Sequence, residues 1–230
     1  GIRGFNLTMP NKNKIVELLD ELSPEAQLIG AVNTVLNDNG KLIGYNTDGY
    51  GFMQSVRDAG HDITGKNITV MGVGGASMAI CAQSALDGAA SVHIFARRTS
   101  RYWNRTQKFA ENLSAKTGCQ VCLFDNDDHT ALRDSIAQSY LLINATSVGM
   151  VPDIDDTIIK DTSLFHPELV VADVVYEPQE TRLLREAKAA GCQTFNGMYM
   201  LLHQGAKAFQ IWTGQEMPVS VIKEKYFSVK

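Results

Sequence analysis

The run Gly72-Val73-Gly74-Gly75-Ala76-Ser77 has the make-up of a turn that can hold a pyrophosphate. Glycines let the backbone come close to an anion, and a helix opening there aims its free N–H groups at it. The run follows the apolar stretch Ile68-Thr69-Val70-Met71 and precedes a small-residue helical stretch, which is the setting such a turn needs to bind a dinucleotide. The third fingerprint position is Ser77 rather than Gly or Ala, so a tight strand-to-helix turn without a ligand stays open as the plain alternative. About 20 residues on, where an NAD site places an acid for the ribose hydroxyls, the chain reads Ala96-Arg97-Arg98-Thr99-Ser100-Arg101. Guanidiniums without a carboxylate suit a 2′-phosphate, which predicts NADP, with NAD as the second choice. The ordinary alternative is a solvated basic helix start.

Other reactive side chains point nowhere in particular. Cys119-Gln120-Val121-Cys122 has metal or redox spacing, but in a strand-like run positions i and i+3 face opposite ways, and no second pair exists. A core strand is the reading. His61, His93, His129, His166 and His203 have no partner at ligand or triad spacing, so neither a metal nor a nucleophile is expected.

The elements that must position the glycine turn repeat a strand-helix beat. Strands are expected at residues 68–71, 91–95, 120–124, 140–143, 169–175 and 193–195, with helices near 77–86, 103–116, 130–138 and 181–190 between them. Continuous apolar strands alternating with helices predict an α/β fold, a Rossmann-like parallel sheet covered on both faces. Earlier in the chain, apolar positions Ile15, Leu18, Leu19 and Leu22 have a helical period, and Ser23-Pro24 offers a cap and first turn for a second short helix. Residues 31–36 and 41–45 around Asn37-Asp38-Asn39-Gly40 read as a hairpin. The tail, residues 200–212 and 219–227, reads as one or two helices.

Composition narrows the class. The chain has 230 residues, 44% hydrophobic and 20% charged, enough to bury a sizeable core. Twenty-one Lys and Arg against 25 Asp and Glu give a charge of −4, so nucleic acid is not an expected partner. No apolar run reaches the roughly 20 residues of a spanning helix, and membrane is not expected either. Four scattered cysteines fit a reducing compartment, which predicts a cytoplasmic protein.

The early segment Gly4-Phe5-Asn6-Leu7-Thr8-Met9-Pro10-Asn11-Lys12, then Gly30-Ala31-Val32-Asn33-Thr34 and Gly44-Tyr45-Asn46-Thr47-Asp48-Gly49, resembles the shikimate dehydrogenase family. Later runs match in the same order: residues 72–76, 144–150, 173–178 and 197–201, leading to Gln204 and Trp212-Thr213-Gly214. The flavour is closest to the quinate/shikimate dehydrogenase branch. The resemblance implies hydride transfer between a nicotinamide and a ring alcohol of shikimate, or quinate. Lys12 matches the family's catalytic lysine and Asp48 its partner carboxylate, a proton-relaying pair. Thr8, Asn33, Tyr176 and Gln204 match substrate-binding positions. Cofactor contacts are implied at Gly72, Val73, Gly74, Gly75, Ala76, Ala96, Arg97, Arg98, Thr99, Arg101, Thr146, Ser147, Val174, Val175 and Gly197.

Two departures shape the expectation. The family's opening strand-helix units, with a Ser-x-Ser motif for the substrate carboxylate, have no counterpart before the lysine run, which predicts a fragment. The NADP branch places Asn and Thr where this chain has Ala96 and Arg98, and the quinate/shikimate branch places an acid where it has Thr99. The expected organisation is a truncated substrate lobe over residues 1–47, joined by helices in 203–230, and a Rossmann-like lobe over 48–202, with the site in the cleft. A homodimer is allowed for. The rival expectation is a catalytically silent nucleotide-binding regulator of the same fold.

Overall fold

The computed structural model describes residues 1–8 and 10–227; Met9, from the early segment above, and residues 228–230 lie outside it. The first sheet has four short strands, β1 (Gly4–Asn6), β2 (Glu21–Leu22), β3 (Thr34–Asp38) and β4 (Lys41–Tyr45), in the order β1-β3-β4-β2. The expected hairpin is β3–β4. Its two turn residues, Asn39 at φ 54° and Gly40 at φ 98°, are both left-handed, the two-residue turn that matches strand twist. The first strand of the pair begins at Thr34, three residues later than the pattern suggested.

The helix expected over residues 13–22 is not there. Lys14–Leu18 form a single 3₁₀ stretch, and Glu21–Leu22 pair in parallel with β4. Leu18, counted as part of an apolar stripe, is 72% exposed. Leu19 and Leu22 instead pack on β4 where Gly44 leaves room, since a Cβ there would meet them at 2.5 and 2.9 Å. A free strand edge thus wins over a helix of marginal length. The second helix, α1 (Pro24–Ile29), forms as expected, with the Ser23 hydroxyl accepting from the Ala26 N–H.

Helix α2 (Asp48–Asp58) then leads to the second sheet. Six strands, β5 (Asn67–Met71), β6 (Ser91–Ala96), β7 (Gln120–Asp125), β8 (Leu141–Asn144), β9 (Val170–Asp173) and β10 (Gln193–Phe195), pair in parallel in the order β10-β9-β8-β5-β6-β7. The chain starts in the middle and runs out to one edge, then returns to the other, so the order reverses between β5 and β8. A crevice opens at such a point beyond the strands' carboxyl ends. β8 and β9 are buried at every residue, as strands covered on both faces must be.

Helices α3 (Gly75–Leu86) and α4 (Trp103–Thr117) cover one face, where Ile80 and Leu113 meet Ile68 and Val70. Helices α5 (His129–Gln138) and α6 (Arg182–Ala189) cover the other, where Ile136 and Leu183 join Met71 and Leu142. Beyond β10, α7 (Met198–Thr213) crosses back to the first sheet, where its Trp212 indole donates to the Val35 carbonyl at 2.9 Å. The final α8 (Val219–Ile222) is one turn that runs into a π-helical turn at Lys223–Phe227. Among the described residues no helix is long and apolar enough to cross a membrane.

Candidate active site

Lys12 sits in the turn before the 3₁₀ stretch, and its carbonyl accepts the Val32 N–H at 2.8 Å, which ties the turn to the chain entering β3. Its Nζ donates to Asp48 Oδ2 at 2.6 Å. Asp48 opens α2, where free N–H groups favour a negative charge. Its other oxygen, Oδ1, accepts from Asn33 Nδ2 at 2.8 Å. Asn33 is itself held from both ends: its Oδ1 accepts the Thr47 N–H at 2.9 Å and the Thr34 hydroxyl at 3.0 Å, and its Nδ2 reaches Gln204 Oε1 of α7 at 3.3 Å. Four of the residues singled out in the sequence, Lys12, Asn33, Asp48 and Gln204, therefore converge. Asp48 and Asn33 are buried, while Lys12 keeps part of its surface open. Thr8 is exposed, and its carbonyl accepts the Asn11 N–H at 3.0 Å.

A groove of about 1310 Å³ lies along the carboxyl ends of β5, β6, β8 and β9. Its floor is the glycine turn, residues 72–76. Gly72 has φ 112°, open to glycine but not to other residues, and a Cβ there would meet Thr146 at 2.8 Å; at Gly74 and Gly75 nothing stands within 4 Å of a Cβ position, so the backbone is bare toward the groove. Ser77, the imperfect fingerprint position, is wholly buried and donates to the Gly72 carbonyl at 2.6 Å, fastening the turn from below. Cys81, one turn further, has its thiol pushed up to about 12 by burial, so it is packing.

At one end of the groove stand Ala96, Arg97, Thr99 and Arg101; at the other stand Thr146, Ser147, Val174, Val175 and Tyr176. Two expected contacts fall outside its lining. Arg98 turns away, its guanidinium 4.6 Å from the centre of the Trp103 ring and its N–H on Asp125 Oδ1 at 3.3 Å. Gly197 packs backbone on backbone, because a Cβ there would stand 2.1 Å from the Val174 carbonyl oxygen. Sequence reasoning also passed over Tyr102, Asn126 and Met150, which line the groove. Asn126 carries the clearest signal: its buried Oδ1 has no hydrogen-bond partner, and it follows the strand next to β6.

The groove fits a dinucleotide. Its bare glycine turn opens α3, a cation pair marks one end, and the other end is apolar with a few polar atoms. The convergent pair and the groove are joined by α2: a Cβ on Gly49 would stand 2.4 Å from the Ala79 carbonyl of α3, one turn beyond the glycine floor.

Models of the shikimate dehydrogenase substrate binding domain and of the shikimate 5′-dehydrogenase C-terminal domain match residues 1–35 and 197–225. A relative from Listeria innocua named shikimate dehydrogenase (NADP(+)) is 52% identical over 226 residues, 98% of this chain and 77% of the relative. Quinate/shikimate dehydrogenase of Escherichia coli is 42% identical over 97% of this chain and 77% of its own length. The crystal structure of shikimate 5-dehydrogenase from Listeria monocytogenes, in complex with shikimate and NAD, superposes with a TM-score of 0.94 at 52% identity, over 97% of this chain and 77% of that one. With the parallel six-stranded sheet, the glycine turn at its switch point and these relatives together, the chain belongs to the shikimate dehydrogenase family.

Proposed function

We propose that the chain is an NADP-preferring alcohol oxidoreductase that interconverts shikimate, and by the same chemistry quinate, with the 3-dehydro form. The observation that carries this reading is the 2.6 Å Lys12–Asp48 contact, held by Asn33 and Gln204 beside a dinucleotide-shaped groove. The names of the Listeria innocua and Escherichia coli relatives support the substrate class, and the first of them supports NADP.

An ammonium has three donors. One of Lys12's is spent on Asp48, which leaves two that can hold the reacting oxygen as its proton leaves. Asp48 Oδ2 faces Lys12 while Oδ1 is occupied by Asn33, so the carboxylate has one fixed orientation in which to pass that proton. Asn33 and Gln204 present amide groups that can read ring hydroxyls, and Tyr176, exposed at the groove's far end, stands where ring and nicotinamide would meet. Thr8 is assigned to the open side of the same cleft. Arg97 and Arg101 hold a 2′-phosphate, residues 72–76 the pyrophosphate, and Thr146, Ser147, Val174 and Val175 the nicotinamide half. The bound nicotinamide would supply the hydride acceptor.

This reading takes residues 1–47 with 203–230 as the substrate lobe and 48–202 as the cofactor lobe. It places the enzyme in the cytoplasm, a setting that the four free cysteines suit. Steady-state turnover with shikimate and quinate, each with NADP and NAD, tests it. Turnover with shikimate or quinate at higher kcat/KM for NADP is the expected result. Tight dinucleotide binding without hydride transfer to either alcohol would instead favour a silent regulator.

A further inference from the structure

Asp173, the last residue of β9, accepts hydrogen bonds at both oxygens, as an ionised carboxylate does, and no cation among the described residues answers it. It is wholly buried, and its three partners are neutral donors. Asn144 Nδ2 at 3.0 Å and the Val175 N–H at 2.9 Å give to Oδ1, and the Thr181 hydroxyl at 2.8 Å gives to Oδ2. Among the described residues no charged side chain contributes to its environment. Burial pushes the carboxyl above the usual carboxylate range, and the three donors pull it partly back. The N-terminus of α6, capped by Thr181, adds a partial positive charge only.

The charge lies directly behind one end of the groove. Through Val175 it holds the Val174–Tyr176 wall. Through Asn144 it holds the opposite one, since Asn144 Oδ1 accepts the Thr146 N–H at 3.1 Å and its hydroxyl at 2.6 Å, while Nδ2 reaches the Val148 carbonyl at 3.1 Å. Both walls stand opposite the Arg97 and Arg101 end. A dinucleotide with its adenosine phosphate at the arginines must lay its nicotinamide here. That ring is the part of the cofactor whose charge changes in the reaction, positive when oxidised and neutral when reduced.

Resting on the dinucleotide reading above, we infer that Asp173 is an electrostatic positioning residue that favours the oxidised over the reduced nicotinamide, so that the groove binds NADP+ relative to NADPH more tightly than it would without that charge. Coulomb's law at an effective dielectric of about 20 gives roughly six- to thirtyfold in affinity for unit charges about 8–15 Å apart.

Asp173→Asn removes the charge and keeps the shape. Its amide oxygen can still accept from Asn144 and Val175, and its new Nδ2 can donate to the Thr181 oxygen. The test is the pair of dissociation constants for NADP+ and NADPH by fluorescence titration, with thermal melting as the check on folding. In Asp173→Asn the ratio of the NADP+ constant to the NADPH constant rises about six- to thirtyfold, chiefly through weaker NADP+. Thr181→Val, which removes a donor but leaves the charge, keeps the ratio within about twofold. An unchanged ratio in folded Asp173→Asn, an equal loss of both affinities, or a shift as large in Thr181→Val overturns the inference. Where Asp173→Asn does not fold, Asp173→Ser, which also removes the charge and leaves a polar hydroxyl, is read in its place: a rise in the ratio of at least about fivefold supports the inference, and an unchanged ratio overturns it. Wild-type protein that binds neither form overturns the dinucleotide reading itself, and this inference with it.

Discussion

Replacing Lys12 by alanine separates the proton-handling groups from the cofactor groove. The Lys12 side chain is 19% exposed and that of Asp48 4%, so their contact lies between two regimes. An exposed ion pair contributes about 0–1 kcal/mol, whereas removing one partner of a buried pair costs about 3–5 kcal/mol. Asp48 would keep the Asn33 bond at 2.8 Å and its place at the start of α2, which offsets part of the loss. We expect about 2 kcal/mol of destabilisation, read as a Tm lower by about 4–8 °C for a chain of this size. That is too little to unfold a domain of about 5–15 kcal/mol, so any large kinetic effect belongs to the chemistry. Loss of a group that assists proton transfer lowers kcat by about 10²–10⁴-fold. Steady-state turnover with shikimate and NADP, NADPH fluorescence titration and calorimetry on the same samples read the three quantities separately. The expected pattern is a collapse of kcat with cofactor affinity within about threefold of wild type. Asp48→Asn should fall in the same class, because its amide N–H would face the Lys12 ammonium. The double variant should lose little more than either single one, as groups acting as a unit do. Turnover within a few-fold of wild type in Lys12→Ala, or additive losses in the double variant, would refute the shared role.

Other consequences are simpler. In Gly51→Ala the new methyl would stand 2.7 Å from the Gln204 nitrogen and the Met200 carbonyl, both backbone, so α2 and α7 must part; calorimetry should show a loss of about 1–3 kcal/mol, and an unchanged Tm would refute the packing argument. Arg97→Ala should lower the NADP-over-NAD preference in kcat/KM at least about tenfold, whereas Arg98→Ala, whose guanidinium is committed to Trp103, should leave it within about threefold and cost about 0.5–1 kcal/mol of stability. Equal effects of the two would show that the groove does not tell them apart. Burial holds the imidazoles of His61 and His93 below the usual His range. Between those depressed folded values and about 6.5 the unfolded chain binds more protons, so stability is full above about pH 6.5 and falls as pH drops below it. Tm should therefore decline from pH 7.5 to 5.5, with a shallower decline in His93→Gln; identical slopes for the two proteins would count against burial as the cause.

The cofactor half was legible because its physics is local. In Leu141–Asn144 and Val170–Asp173 every residue but the last is apolar, and helical periods separate the two strands, so a sheet buried on both faces follows from the pattern itself. The glycine turn announces its own backbone. By contrast, nothing in composition or spacing says that Lys12 meets Asp48, 36 positions away; only the family resemblance brought them together. Helix α2 went unread because Gly49 and Gly51 interrupt the pattern that Phe52, Met53 and Val56 carry, and those glycines are there for close approach rather than for turns. The apolar residues from Ile15 to Leu22 misled for the opposite reason, since their period is satisfied by a tight turn followed by an edge strand. Arg97 and Arg98 were treated alike although consecutive residues leaving a strand point to opposite sides, which is how one enters the groove and the other lies on Trp103.

The two small residues of α2 also decide which half of the site is fixed. Gly49 lets the start of α2 rest on the backbone of α3, whose first turn is the floor of the groove, and Gly51, two residues on and facing another way, lets the same turn rest on the backbone of α7, which carries Gln204. Backbone-to-backbone contacts of this kind leave no flexible side chain to absorb a shift, so Asp48 and Gln204 must travel with the nucleotide cradle. Lys12 reaches the site from the other side, through a turn fastened by its own carbonyl to Val32 at the entry to β3. The ammonium therefore belongs to the first sheet and the carboxylate to the second. Asp48 also accepts from Asn33, which is tied to the first sheet through the Tyr45 carbonyl at 3.0 Å, so any displacement of that sheet from α2 must lengthen the 2.8 Å bond together with the 2.6 Å contact. Under the roles proposed for Lys12 and Asp48, proton transfer would therefore depend on the first sheet staying seated against α2.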